Sequence, residues 1–172
     1  MTYSEHKIIS LRDLFDYNIC EFVSSEMQLK NILPKWIAIA YSLKLKNILD
    51  EYLSLVELNI KNSKAFINEE KTPFPFIKSK IMQAMVKQTR GKLNQCADIE
   101  IKDACLLAAI QSINHFKIFM YGTLESYAVA LQMEKSSAIF QKAKANERQI
   151  DDHLCLLAET EINVKAKIPH HF

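Results

Sequence analysis

Four polar side chains occupy positions where the helical period calls for core: Glu26, Asn114, Lys117 and Glu147. Glu26 falls between Phe22 and Leu29, Asn114 and Lys117 between Ile110 and Tyr121, and Glu147 between Ala143 and Ile150. A charged group on an inner stripe says more than an apolar one on the surface, because a buried charge without a partner is strongly destabilising. Two carboxylates inside a bundle can be satisfied by divalent cations or by a fixed cation of the chain itself. The second arrangement is available here, with the ammonium of Lys117 between Glu26 and Glu147 while Asn114 and the hydroxyl of Tyr52 fill the remaining hydrogen bonds. The alternative places Lys117 and Glu147 at the edge of the stripe, reaching water along their own stems.

The other reactive side chains read more plainly. His115 follows Asn114 but points about a quarter-turn away, which makes it a hydrogen-bonded boundary residue rather than a ligand. His153 adjoins Asp151 and Asp152 and can pair with them, although an exposed acidic pair is usually a solvated face. Cys20, Cys96, Cys105 and Cys155 lack the spacing of a zinc knuckle or redox motif and are expected as reduced core residues in apolar helical stretches. Nucleophilic catalysis has no support: there is no glycine-framed serine elbow, no phosphate-cradling glycine loop and no His-Glu-x-x-His pair.

These residues must be positioned by long helices. Only two glycines and four prolines punctuate 172 residues, and the 49% hydrophobic content is enough for one continuous core. Apolar residues return at three and four from Leu11 to Tyr41, a first helix with a kink expected near Pro34. Ser42 is placed to cap a second helix carrying Leu45, Leu49, Tyr52, Val56, Asn59, Ile60 and Phe66, and so short a turn forces an antiparallel hairpin. Thr72-Pro73-Phe74-Pro75-Phe76 cannot continue that helix. A shorter helix is expected over 77–94 as a crossover, then a third long helix capped by Asp98 and a fourth capped by Ser136 or Ser137. The expected organisation is a flexible arm over 1–10, a helical bundle over 11–164, and a fraying tail over 165–172 that ends in Pro169-His170-His171-Phe172.

The formal charge of +2 comes from interspersed basic and acidic residues with no basic stripe, which argues against nucleic acid as a partner. There is no apolar run of membrane-spanning length and no apolar signal segment in the first ten residues, so a cytoplasmic protein without membrane contact is expected.

Leu11-Arg12-Asp13-Leu14-Phe15, Glu26-Met27-Gln28-Leu29, Leu33-Pro34-Lys35, and Asp103-Ala104-Cys105-Leu106 followed by Gln111 and Tyr121-Gly122-Thr123-Leu124 resemble the YciE/YciF-type ferritin-like proteins, from about Leu11 to Glu159. The resemblance implies an all-α, ferritin-like four-helix bundle of two antiparallel hairpins with an extra short helix in the crossover. It also implies a bacterial cytoplasmic protein, commonly a homodimer and often tied to stress responses, with a centre for two iron or manganese ions. Gly122, inside a helix, is expected to let a neighbouring helix approach closely.

Matched position by position, most of the ligand set that the resemblance implies is replaced. Glu26 is retained, but Tyr52 and Leu55 stand where the second helix would carry a histidine and a glutamate. Asn114 and Lys117 replace the glutamates flanking His115, and Asn146, Glu147 and Asp151 replace two adjacent glutamates and an aspartate. Two carboxylates with no well-placed imidazole are too few for a two-metal site. The expectation is therefore a degenerate former di-metal centre and no cofactor, in a non-enzymatic protein acting through dimer or partner contacts. The alternatives are a single metal ion held by Glu26, Glu147 and Asp151 or His115, and a pocket for a small apolar ligand near Tyr52, Phe116 and Tyr121. Phe74, Phe76, Ile77, Met82 and Met85 in the crossover are the candidate surface for self-association, unless they close the open end of the bundle.

Overall fold

The computed structural model describes residues 7–74 and 77–167. Ser10 opens helix α1 (Leu11–Ile39) by accepting a hydrogen bond from the Asp13 amide at 3.1 Å, and Asp13 Oδ2 reciprocates by accepting from the Ile9 amide at 3.2 Å. The helix runs through Pro34 and stops two residues before the expected Tyr41. Helix α2 (Leu43–Glu70) begins at Ser42, whose hydroxyl accepts from the Leu45 amide. The turn between them is held from outside the hairpin: Asp103 accepts from the amides of Tyr41 at 2.8 Å and Ser42 at 2.7 Å.

Helix α3 (Lys80–Leu93) starts three residues later than expected because Ser79 takes the capping position, accepting from the Met82 amide. Asp98 caps α4 (Ile99–Ala130) through the Ile101 amide at 2.8 Å, as its position suggested. Helix α5 (Glu134–Leu157) corrects the expectation of a serine cap at Ser136 or Ser137. Gln132 adopts a left-handed conformation (φ 57°), which turns the chain so tightly that the Met133 amide donates to Ala128 and α5 follows at once. Ser137 instead donates its hydroxyl to the Glu134 carbonyl. A π-helical turn (Ala158–Ile162) and a last short helix α6 (Asn163–Ala166) carry regular structure past the expected end of the bundle at 164, while the rest of the tail, from 168, lies outside the described residues.

The result is an all-helical bundle of two hairpins, α1–α2 and α4–α5, with α3 in the crossover packed against α4 and α1. Its interior is divided. One cluster is mainly aliphatic, with Leu29, Leu33, Leu45, Leu49, Val56, Ile110 and Leu154 beside Trp36 and Tyr52; the other is richer in aromatic rings, with Phe15 edge-on to Phe66 at 5.6 Å and Phe22 edge-on to Tyr121 at 4.8 Å. The layer between them holds the polar side chains.

Several expectations change at the periphery. Phe74 and Met82 are buried and Ile77 and Met85 half-buried, so this part of the crossover closes the bundle rather than presenting an exposed apolar face; Phe76 lies outside the described residues. Of the cysteines only Cys20 is buried, whereas Cys96 sits in the α3–α4 connection and, like Cys105 and Cys155, is half-buried. A Cβ on Gly122 would meet Lys144 Cδ at 3.6 Å, an ordinary contact with a flexible side chain, so no close helix approach depends on this glycine.

Candidate functional site

The inner stripes of four helices bring Glu26 (α1), Tyr52 and Asn59 (α2), Asn114, Lys117 and Tyr121 (α4) and Glu147 (α5) into one layer. Glu26, Asn114, Lys117 and Glu147 have no exposed surface at all, so the alternative of side chains reaching water from the edge of the stripe does not hold. Lys117 Nζ lies 2.6 Å from Glu147 Oε1 and 3.1 Å from Glu26 Oε2, and 4.5 Å from the centroid of the Tyr52 ring. The ammonium is thus held by two carboxylates and an aromatic face in a medium where screening is weak.

The hydrogen bonds around the ions differ from the expected set. Asn114 Nδ2 donates to Glu147 Oε2 at 2.8 Å and to the Glu147 carbonyl at 3.0 Å, as anticipated. Tyr52 contributes its ring to Lys117, while its buried hydroxyl faces Asn114 and Glu147 without a hydrogen bond of good geometry. The phenol that does donate is Tyr121, to Glu26 Oε1 at 2.7 Å, and Asn59 Nδ2 donates to Glu147 Oε1 at 3.2 Å. Both residues lie on the inner stripes of their helices, Asn59 on α2 and Tyr121 on α4, and the need of each buried polar atom for a partner is the signal that marks them.

One ammonium facing two carboxylates leaves an excess negative charge in a dry layer. The consequence falls on Glu26, whose pKa is raised to about 7, chiefly by burial and further by Glu147, against the opposing pull of Lys117 and the Tyr121 hydrogen bond. The phenols of Tyr52 and Tyr121 are pushed well above their ordinary range by burial and by the same two carboxylates.

The remaining candidates stand apart. Leu55 and Asn146 are half-buried and flank a shallow opening between α2 and α5. His115 Nε2 pairs with Asp151 at 2.9 Å on the outer side of the α4–α5 hairpin, with the imidazole 63% exposed, so neither faces the centre. His153 is turned toward Glu51, at 3.9 Å, rather than toward its acidic neighbours. Tyr52 and Tyr121 are packed into the core instead of lining a ligand cavity. A groove of about 560 Å³ does open between α2 and α5, with Leu58, Phe66 and Ile139 in its wall and Asn59 at its inner end. Among the described residues, no group of three or more His, Cys, Asp or Glu side chains could hold a metal ion. The donor set of the central layer does not fit a two-metal centre, because its cation is a side chain.

Fold and layer together define a class: a helical bundle with a buried, lysine-centred ion cluster. The chain belongs to the family described as a domain of unknown function, DUF892, whose sequence pattern matches residues 10–167. It is 24% identical over 159 residues to protein YciF of Escherichia coli (strain K12), covering 92% of this chain and 96% of that one. The crystal structure of the E. coli stress protein YciF superposes with a TM-score of 0.84 at 23% identity, covering 91% of this chain and 99% of the other. YcfI from Rhodopseudomonas palustris superposes with a TM-score of 0.83 at 20% identity, covering 88% and 97%. No described helix is long and apolar enough to cross a membrane.

Proposed function

We propose that this chain is a metal-free, non-enzymatic ferritin-like protein of the YciE/YciF type, acting in the cytoplasm through contacts with a second copy or another protein, in a stress-related role. The observation that carries this reading is Lys117 Nζ lying within 3.1 Å of both Glu26 and Glu147. A fixed cation between the two carboxylates of the layer offsets part of their charge without metal and would repel an entering divalent ion. Contact function is supported by the α1–α2 turn, where Ile39, Tyr41 and Leu43 are all more than half exposed. The stress-related part rests on the description of the E. coli relative alone.

The test is anaerobic incubation of the untagged protein with ferrous or manganous ion, removal of the excess, and elemental analysis of bound metal per chain. Retention below about a tenth of an equivalent is the expected result, because two carboxylates already facing an ammonium offer too few free donors for a divalent ion. Near-stoichiometric metal that disappears in Glu26→Ala would overturn the reading in favour of a single-ion site. Lys117→Glu, run beside it, asks whether removing the cation restores binding.

A further inference from the structure

Helix α4 lacks the polar outer side that a surface helix normally has. Its inner stripe serves the bundle, yet none of the residues it leaves exposed is Asp, Glu, Lys or Arg. Its charged side chains, Glu100, Lys102, Asp103, Lys117 and Glu125, are all buried or half-buried. The outer side of α2, by contrast, shows Asp50, Glu51, Glu57, Lys61 and Lys64 to solvent. Depletion of charge marks the core of an interface, and a helix apolar all round is one that is covered on both sides.

The exposed residues of α4 also repeat in sevens. Ile101, Ala108 and His115 form one series, and Ser112, Phe119 and Ser126 form a second that lies four residues beyond Ala108 and three before His115. Alternation of three and four is the period of a seam that wraps a second helix left-handedly. Phe119 stands 67% exposed near its middle. The polar members do not oppose burial: Ser112 donates its hydroxyl to the Ala108 carbonyl of its own helix at 2.9 Å, and His115 is paired with Asp151 of the same chain. From this seam we infer that α4 packs antiparallel against α4 of a second copy, which rests on the contact reading proposed above and gives it a surface and a partner.

Self-complementarity selects the second copy. The seam is symmetric about the midpoint between Ser112 and His115, so a two-fold axis there sets Phe119 over the partner's Ala108, Ser112 beside the partner's His115 and Ile101 against the partner's Ser126. Large meets small at both Phe119 positions. A parallel partner would put Phe119 against Phe119 and align the two helix dipoles head to head. The dimensions also suit a pair: at 1.5 Å per residue the seam runs about 40 Å, and a helix about 12 Å wide then covers roughly 500 Å² per copy, bringing the total to the roughly 1,000 Å² that a specific interface needs.

Sedimentation equilibrium of the full chain tests this, with a two-chain mass expected for the wild type. Phe119→Glu alters an exposed side chain, so helical circular dichroism should be unchanged while the dimer weakens by about a hundredfold or more, because the substitution enters the interface twice. Ala108→Lys should weaken it as well. An equimolar mixture of the two variants should recover the two-chain mass, since antiparallel pairing sets the new carboxylate opposite the new ammonium. A wild type of one-chain mass, or a dimer that Phe119→Glu leaves intact, overturns the inference. Dissociation by Leu43→Glu but not by Phe119→Glu would move the contact to the α1–α2 turn and leave the proposed function standing. Variants that dissociate but do not recover on mixing refute the antiparallel register. A one-chain protein that floats with phosphatidylcholine vesicles, and ceases to in Phe119→Glu, would make this face a lipid contact instead.

Discussion

Raising the pH from 5 to 8 should destabilise this protein through Glu26. A carboxyl whose pKa is raised by folding binds its proton more tightly in the native chain than in the unfolded one. Its contribution to stability is therefore fully present below the unfolded value, 4.5, and is lost as pH rises through the folded value of about 7. At about 1.4 kcal/mol per pKa unit that interval corresponds to roughly 3 kcal/mol, a sizeable share of the ~5–15 kcal/mol that holds a domain folded. The window matters because Glu161, whose pKa is lowered to about 2 by hydrogen bonds from Lys44, Lys165 and Ser42, has the opposite sign and loses its contribution only as pH falls through that value. Urea unfolding of the wild type and of Glu26→Gln at pH 5, 6, 7 and 8 separates the terms. The amide can still accept from Tyr121 but carries no charge, so the variant should lose most of the slope and be the more stable of the two at pH 8. Lys117→Met, which leaves both carboxylates buried without a cation, should lose about 3–5 kcal/mol at pH 8 and recover part of it on acidification. If the wild type grows more stable between pH 5 and 8, or if Glu26→Gln keeps the wild-type slope, the assignment of Glu26 as the excess charge in the layer is refuted.

The two buried phenols give a matched comparison. Tyr121→Phe removes the donor to Glu26 Oε1 and should cost about 1–3 kcal/mol, whereas Tyr52→Phe removes a hydroxyl that faces Asn114 and Glu147 without a well-formed hydrogen bond and should cost less; thermal unfolding at pH 7 distinguishes them. Asp103→Ala strips the acceptor from two amides of the α1–α2 turn and should cost about 2–4 kcal/mol, with hydrogen exchange at Tyr41 and Ser42 rising more than in the core of α1.

Helices are the part of this molecule that sequence conveys best, since apolar spacing and capping residues are local. Ser42 and Asp98 cap their helices from the expected positions, and the two hairpins with a crossover follow from where the prolines fall. The start of α5 was hidden because Gln132 enters the left-handed region without being glycine. For the site, period alone locates Glu26, Asn114, Lys117 and Glu147, the residues whose charge or amide conflicts with an apolar stripe. Tyr121 and Asn59 were missed because a phenol passes for an apolar residue on a helical wheel and a lone amide on α2 attracts no notice.

The ion layer also bears on how the two hairpins find one another. Glu26 and Asn59 come from the first hairpin; Lys117, Asn114 and Glu147 come from the second. Aliphatic and aromatic side chains on either side of the layer would tolerate a slip of one hairpin along the other by a helical turn, exchanging one greasy contact for another. The ions would not, because such a slip carries Lys117 away from Glu26 and leaves each opposite hydrocarbon. A single lysine midway along α4 thus acts as a register pin, making one longitudinal alignment of the hairpins far lower in energy than its neighbours one turn away.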